Sequence, residues 1–312
     1  MVKGIKEHEI GEGFQGYLLV KGSTEALTKK GDPYLRVVLG DSTGTIGAMV
    51  WDADETKKEI FKEENIVAVR GTIGEFNEQR QLNLTEYREL DAGEEVNLED
   101  LLEVAPVPGD TLIKLIRGTI LKIKNENIRQ ITDGLFERYV DDIEKYPAAK
   151  GNHHAYVSGL AYHVVGMLRL AKAVCKFYPI VNEDLLVAGV ILHDIGKVKE
   201  YSSYISPDFT QEGKLKGHIS IISEEIGNIA TELGIDGEEV LLLQHLVLSH
   251  HGKMEWGSPV TPRIIEANVL HQLDMMDASM DAFRNASEEI EVGEYTERIF
   301  SMDNRSFYKH GL

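Results

Sequence analysis

In the first ninety residues, short runs of apolar and polar positions are separated by turn residues. Five runs are rich in β-branched and aromatic residues and predict β-strands: GFQGYLLVKGS, PYLRVVLGD, TIGAMVWD, NIVAVRGTIGEF and QLNLTEY. Between the third and fourth runs, ADETKKEIFKEE places Ile60 and Phe61 among charged residues, which predicts one short helix. This is the element order of an OB-fold, so we expect a five-stranded OB-type β-barrel over residues 1–95.

A strongly acidic segment separates this β-pattern from a helical one. Residues 86–103 contain eight acidic residues and one basic residue, and APVPGD follows with two prolines, which is typical of a solvated connector. Beyond it, apolar residues recur every three or four positions as far as the end of the sequence. We therefore expect a linker with connecting helices over residues 96–149 and an all-α domain over residues 150–312.

Composition excludes several classes of protein. The formal charge of −19 argues against a protein that coats nucleic acid by bulk electrostatics, but not against a local grip on a single strand. Cys175 is the only cysteine, which excludes disulfides and a zinc site made of thiolates. No apolar run reaches the roughly 18 residues of a membrane helix, and the first residues lack a secretory signal. We expect a cytoplasmic protein without a membrane partner.

One apolar run ends in two polar residues that are costly to bury. Residues 185–192 are apolar apart from Gly189, and His193 and Asp194 follow directly in the sequence VILHDIGKVKEY. A buried carboxylate beside an imidazole needs a hydrogen bond, a counter-charge or a metal ion. Lys197 lies one helical turn after Asp194, which places its ammonium on the same side. A carboxylate, an imidazole and a cation therefore converge at the end of this helix.

Other polar residues interrupt apolar helices in the same part of the chain, where nine of the eleven histidines fall between residues 153 and 271. The interruptions are His163, His218, the pair His250 and His251, and Asp274. Each histidine alone is more often a hydrogen-bonded core residue than a ligand. Their occurrence on separate helices of one domain favours a shared metal site.

The donors are mostly imidazoles with two carboxylates, a set that suits Mn²⁺, Fe²⁺ or Zn²⁺ better than an all-oxygen Mg²⁺ site. They are too many for one tetrahedral ion and suit two divalent ions, most simply Mn²⁺, with Asp194 bridging them. Asp277 is the alternative to Asp274 as the last ligand. We expect His153, His154 and His271 to orient ligands rather than bind metal, with His271 hydrogen-bonded to Asp274.

This ordered series resembles that of the HD-domain metal-dependent phosphohydrolases over residues 150 to about 285. With an OB-like domain in front, HHAYVSGLAYH before the helical part and RIFSMDNRSFY near the end, the chain resembles the YhaM family of bacterial 3′→5′ exoribonucleases. The resemblance implies hydrolysis of RNA to nucleoside 5′-monophosphates. It also implies one ion held by His163, His193, Asp194 and Asp274, and a second held by Asp194, His218 and one or both of His250 and His251. Asp194 and Lys197 would be catalytic, with Lys197 neutralising a phosphate oxygen.

Two regions could bind the nucleic acid strand. In the barrel, Tyr34 and Trp51 could stack on bases while Arg36 contacts the backbone, although Trp51 and Phe76 could equally fill the barrel core. In the connecting helices, IKLIRGTILKIKNENIRQ is the one locally basic stretch and contains Lys122 and Lys124. A solvated helix face is the more common meaning of such a run.

Three functions fit these features. The first is a metal-dependent 3′→5′ exonuclease acting on single-stranded RNA, with single-stranded DNA left open as a second substrate. The second is an HD phosphohydrolase acting on small nucleotides. The third is a nucleic-acid-binding accessory protein with a non-catalytic metal site, and the complete ligand series together with Lys197 argues against it. The native metal, the physiological substrates and homo-oligomer formation stay open.

Overall fold

The computed structural model describes residues 3–77, 79–91, 93–94, 96–150, 154–288 and 290–312. The chain forms two compact units, Met1–Val104 and Ala105–Leu312. The division lies within the acidic and proline-containing connector, a few residues beyond the expected barrel boundary at residue 95.

The first unit is a closed barrel of five strands in the order β1-β2-β3-β5-β4. The antiparallel neighbours are β1 with β2 and β4, β2 with β3, and β4 with β5, and a short parallel pairing of β3 with β5 closes the barrel. The strands are β1 Gly13–Leu27, β2 Pro33–Asp41, β3 Gly44–Trp51, β4 Ile66–Phe76 and β5 Gln79–Glu89, with helix α1 Glu55–Ile60 between β3 and β4. The predicted OB-type element order is confirmed.

Alternation along the strands builds the barrel core. Leu35, Val37 and Leu39 on β2 are buried while Arg36 between them is exposed, as expected for a strand with one face toward the interior. Helix α1 begins at the cap Asp54, whose carboxylate accepts the N–H of Lys57 at 2.8 Å. Phe61 follows the helix and is fully buried in the same cluster.

Beyond the barrel the chain is mainly helical as far as Glu288, as predicted, but the expected helical pattern does not continue to the end: residues 290–312 contain a 3₁₀ turn and isolated β-bridges between Tyr295 and Tyr308 and between Ile299 and Arg305. Helix α2 Leu98–Leu101 lies in the first unit, and the second contains α3 Gly109–Ile120, α4 Glu126–Ile143, α5 Gly159–Phe177, α6 Glu183–Leu192, α7 Lys197–Glu200, α8 Gln211–Leu233, α9 Glu238–Ser249 and α10 Ile265–Glu288. Short 3₁₀ turns occupy Ile5–Glu7, Met254–Trp256 and Phe300–Met302. No helix among the described residues has the length and apolar character needed to cross a membrane.

Helix α6 is the centre of the helical unit. Every residue from Leu185 to Leu192 is buried, and helices α3, α4, α5, α9 and α10 contact it. A helix that is apolar on all sides must lie inside the protein. Its C-terminal end therefore delivers the next residues, His193 and Asp194, into the interior.

Candidate metal centre

His193 and Asp194 lie at the end of α6 and are almost fully buried, at 0% and 2% exposure. The Nδ1 of His193 is 2.9 Å from the carbonyl oxygen of Val190, one turn earlier. A carbonyl can only accept, so Nδ1 must carry the proton and Nε2 carries a lone pair. That Nε2 has no hydrogen-bond partner among the described residues.

Three other imidazoles repeat this arrangement. Nδ1 of His250 lies 2.7 Å from the carbonyl oxygen of Val247, and Nδ1 of His218 lies 3.2 Å from a carboxylate oxygen of Glu200. His251 places Nδ1 2.8 Å from the carbonyl oxygen of Trp256. Metal-binding histidines commonly donate one ring N–H in this way, which fixes the ring and directs the other nitrogen at the ion.

The carboxylate of Asp194 lies at the centre of the imidazoles. Its Oδ2 faces Nε2 of His193 at 3.3 Å and Nε2 of His163 at 4.0 Å, while its Oδ1 faces Nε2 of His218 at 3.5 Å and Nε2 of His250 at 3.8 Å. The two oxygens thus address two separate groups of ring nitrogens. Carboxylate oxygens that face imidazole nitrogens are typical of divalent metal sites.

Several atoms of this cluster are buried without a polar partner among the described residues: Nε2 of His193, His218 and His250, and Oδ1 of Asp194. Buried polar atoms without a partner are rare because each costs roughly 1–3 kcal/mol. The donors converge on common points, with His163, His193 and Asp274 forming one group and His218, His250 and His251 another. Both the donor chemistry and the unmet hydrogen-bonding capacity fit divalent metal ions.

Lys197 holds Asp194 from one side. Its Nζ donates to Oδ2 of Asp194 at 2.7 Å and to the carbonyl oxygen of Ala148 at 2.6 Å. Burial by itself raises the pKa of the Asp194 carboxyl, but the Lys197 ammonium and the His193 imidazole outweigh burial and hold it well below its usual range. Asp194 therefore stays ionised.

His163 on α5 is held between two aspartates of α10. Its Nδ1 lies 2.8 Å from Asp277, and its Nε2 lies 3.3 Å from Asp274 on the side that faces Asp194. Burial lowers the pKa of the His163 imidazole, but the two carboxylates outweigh it and raise that pKa to about 10. The two carboxylates thus favour positive charge at this ring, and a metal ion and a proton would compete for the ring nitrogen. Candidate donor groups beside His163 include either aspartate, Asp274 together with His193 and Asp277 together with His154.

The burial of His250 has the opposite effect on its charge. Desolvation and the neighbouring rings of His193 and His251 lower the pKa of the His250 imidazole well below its usual value. The neutral form is the one that binds a metal ion.

The expected supporting histidines have defined partners where they are described. His154 donates its main-chain N–H to Asp281 at 2.6 Å, and its ring contacts the Tyr156 hydroxyl at 2.7 Å and Asp277 at 2.8 Å. His154 and His163 thus share Asp277. His153 lies outside the described residues.

His271 does not form the expected hydrogen bond with Asp274 and contacts a different partner. Nδ1 of His271 lies 3.0 Å from the main-chain oxygen of His250 instead. The two residues are three apart on α10, but the His271 ring extends toward the end of α9. It supports the chain segment that carries His250 rather than a carboxylate ligand.

Sequence reasoning missed Glu200 and two glycines that place His218. Oε1 of Glu200 accepts both the main-chain N–H of His218, at 2.9 Å, and its ring Nδ1. Gly217 has φ of 70°, which kinks α8 immediately before His218. A Cβ at Gly196 would lie 2.9 Å from the carbonyl carbon of His218, so only glycine fits against this segment. The sequence contained a signal for these residues. Gly196 lies within HDIGK, Glu200 follows that motif by three residues, and Gly217 directly precedes His218 in KGHIS.

The predicted strand-binding residues of the barrel form one cluster. Tyr34 and Trp51 are paired across β2 and β3, with ring centroids 5.1 Å apart, and the Arg36 guanidinium donates to the Tyr34 hydroxyl at 2.8 Å. Trp51 is 57% exposed and Phe76 is 61% exposed. The alternative that these two rings fill the barrel core is therefore wrong, because both lie on the outer face at strand ends.

Lys122 and Lys124 are exposed in the helical unit, in the turn between α3 and α4. The main-chain N–H of Lys124 donates to Asp184 at 3.0 Å, which ties this turn to the start of α6. Neither residue belongs to the groups of donors around Asp194.

Comparisons with known proteins agree with both parts of this fold. Residues 19–90 match the model of an OB-fold nucleic acid binding domain, and residues 160–279 match the HD domain. The chain is 48% identical to the 3′-5′ exoribonuclease YhaM of Bacillus subtilis and 49% identical to that of Bacillus licheniformis, in each case over 99% of this chain and 98% of the relative. The YhaM of Listeria innocua is 45% identical over the same shares. The predicted order of an OB-type barrel and an HD domain is confirmed, and the chain belongs to the family of the 3′-5′ exoribonuclease YhaM.

Proposed function

We propose that this chain is a metal-dependent 3′→5′ exoribonuclease that releases nucleoside 5′-monophosphates from single-stranded RNA. The observation that carries the proposal is the buried carboxylate of Asp194 with imidazoles facing each of its oxygens. Relatives that share nearly the full length of the chain are named 3′-5′ exoribonucleases, which supports the substrate and the direction. The RNA substrate and the single cysteine both suit a cytoplasmic enzyme.

We assign two divalent ions to this centre, with Mn²⁺ as the first candidate. One would be held by His163, His193, Asp194 and Asp274, and the other by Asp194, His218 and one or both of His250 and His251. When bound, such cations supply positive charge that polarises the phosphodiester and lowers the pKa of a water molecule enough for attack on phosphorus.

The chain itself supplies orientation and charge balance. Lys197 fixes Asp194 by donating to Oδ2, and this contact leaves Oδ1 directed at His218 and His250. Two of the three N–H groups of the ammonium bind Asp194 and Ala148. The remaining N–H and the positive charge are the means by which Lys197 would attract a phosphate oxygen.

The barrel would hold the strand from which nucleotides are removed. Trp51 offers an exposed ring and Arg36 a cation within the same cluster, a combination that binds bases and backbone with little dependence on base sequence. Because Arg36 is the one cation named in this cluster and the chain is acidic overall, such binding should be modest and should weaken as salt increases.

The test is digestion of a short single-stranded RNA labelled at its 5′ end, with Mn²⁺ and with a chelator. We expect stepwise shortening from the 3′ end, release of mononucleotides and no cleavage after chelation. Asp194→Ala should abolish cleavage and leave strand binding intact, whereas Asp236→Ala, which removes an exposed aspartate in the turn before α9, should behave as the parent chain.

Two results would overturn the proposal. Hydrolysis of only mononucleotides or dinucleotides would identify a small-nucleotide phosphohydrolase, and retention of the strand without cleavage would identify an accessory binding protein. A DNA strand of the same sequence measures whether single-stranded DNA is also a substrate. Light scattering of the same preparation measures homo-oligomer formation.

A further inference from the structure

The helical unit contains a cavity that shares no lining residue with the donors around Asp194. It has a volume of about 390 Å³ and lies where the turn after α3 meets α5 and the first turns of α6. Four buried aliphatic side chains line it: Ile123, Val165, Leu168 and Val187. Along α6, Val187 precedes His193 by six residues, or about 9 Å of helix.

Four cations surround this aliphatic lining: Lys122, Lys124, Arg169 and Lys172. All four are exposed, and within the part of the chain that the structure describes none has a carboxylate within 4.0 Å. By contrast, the cations on the neighbouring helix α3 are paired, since Lys114 contacts Asp110 at 2.7 Å and Arg117 contacts Glu137 at 2.7 Å. Grouped cations without partners are unexpected in a chain of net charge −19.

The carboxylates of the same wall do not balance these charges. Glu183 and Asp184 also line the cavity, so four cations face two anions. Asp184 is engaged elsewhere, because its Oδ2 accepts the main-chain N–H groups of Lys124 and Asn125 at 3.0 and 2.8 Å. The cavity therefore carries an excess of about two positive charges above an aliphatic surface, a combination that fits an anion with an apolar body.

We propose that this cavity is a binding site for a nucleoside monophosphate, separate from the metal centre. A phosphate monoester carries nearly two negative charges at neutral pH, which matches the excess of positive charge. The base and ribose would lie on the aliphatic lining, and the volume is within the range of small-molecule sites. The binding does not depend on the exonuclease assignment, although the proposed reaction releases this class of molecule.

The experiment is calorimetric titration of the full chain with adenosine and cytidine monophosphates in excess chelator, so that the metal centre does not take up the phosphate, at a temperature at which a thermal melt shows the chelated chain to be folded. We expect one site per chain. The double variant Arg169→Ala with Lys172→Ala should weaken binding by about tenfold or more, because each lost contact is a charge-assisted hydrogen bond. The control Lys145→Ala with Lys176→Ala removes two exposed lysines that do not line the cavity and should leave binding unchanged.

Inorganic phosphate and adenosine, each alone, should bind more weakly than adenosine monophosphate, since each satisfies only one part of the cavity. Three outcomes would overturn the proposal. The first is equal affinity for inorganic phosphate and for the nucleotide. The second is nucleotide binding that survives in the double variant. The third is a parent chain that binds no nucleotide, with a double variant that loses binding of the RNA strand. Because cleavage is absent in chelator, failure of the exonuclease assignment would leave these results unchanged.

Discussion

Replacing Gly196 by alanine tests whether the close packing of α7 on His218 sets the metal centre. Gly196 has φ of −56° and ψ of −18°, a helical conformation that alanine adopts readily. The backbone therefore tolerates the change, and only the added methyl group matters. A Cβ there would lie 2.9 Å from the carbonyl carbon and 3.0 Å from Cα of His218, and nearer still to the carbonyl oxygen.

The size of the effect follows from that overlap. Non-bonded carbon atoms prefer a separation of about 3.5 Å, so the His218 main chain must retreat by roughly 0.6 Å or more. Misplacement of a catalytic group by about 1 Å costs on the order of 100-fold in rate. We expect Gly196→Ala to lower kcat/KM on single-stranded RNA by about 10- to 100-fold, or ~1.4–2.8 kcal/mol of activation free energy.

The assay combines RNA digestion with titration of Mn²⁺ and a thermal melt. Gly118→Ala is the matched control, because a Cβ at this position of α3 meets nothing within 4 Å. That variant should keep full activity and gain about 0.5–1 kcal/mol of stability from reduced chain entropy. If Gly196→Ala keeps the metal affinity and the rate of the parent chain, the contact does not position His218 and the reasoning is refuted.

Two further changes test the surroundings of the site and the barrel. Asp277→Asn removes the carboxylate that His163 and His154 share, so Mn²⁺ affinity should fall by about 10- to 100-fold and excess Mn²⁺ should restore the rate; an unchanged metal titration would contradict this role. Trp51→Ala should weaken RNA binding in chelator by ~1–3 kcal/mol per lost stack, measured by fluorescence anisotropy, whereas Phe300→Ala, which removes a ring that is 86% exposed in the helical unit, should not. Equal effects of the two aromatic variants would count against a base-stacking role for Trp51.

The parts of this molecule that local pattern encodes were predictable. The alternation of apolar and polar residues, together with the turn residues, predicted the order of elements in the barrel. The apolar run before His193 predicted that α6 ends in buried polar residues. Polar residues inside apolar helices predicted the candidate donors, several of which the fold brings together, because burying such residues without partners is costly wherever they lie.

Contacts between distant segments were not predictable in the same way. Glu200 meets His218 across 18 residues, and His271 contacts the main chain of His250 rather than its neighbour Asp274. Such features arise from packing between elements, which periodicity along one element does not contain.

Because the metal centre lies at the end of the apolar helix α6, it also affects the stability of the helical unit. The His193 ring and the Asp194 carboxylate are fixed at the C-terminal end of α6, the helix around which the other helices of the unit pack. Without cations, α6 ends beside buried nitrogen and oxygen atoms that have no hydrogen-bond partner among the described residues. Chelation should therefore lower the melting temperature of the helical unit as well as abolish cleavage, and a chain that loses its ions in the cell would unfold more often and become a better substrate for proteases.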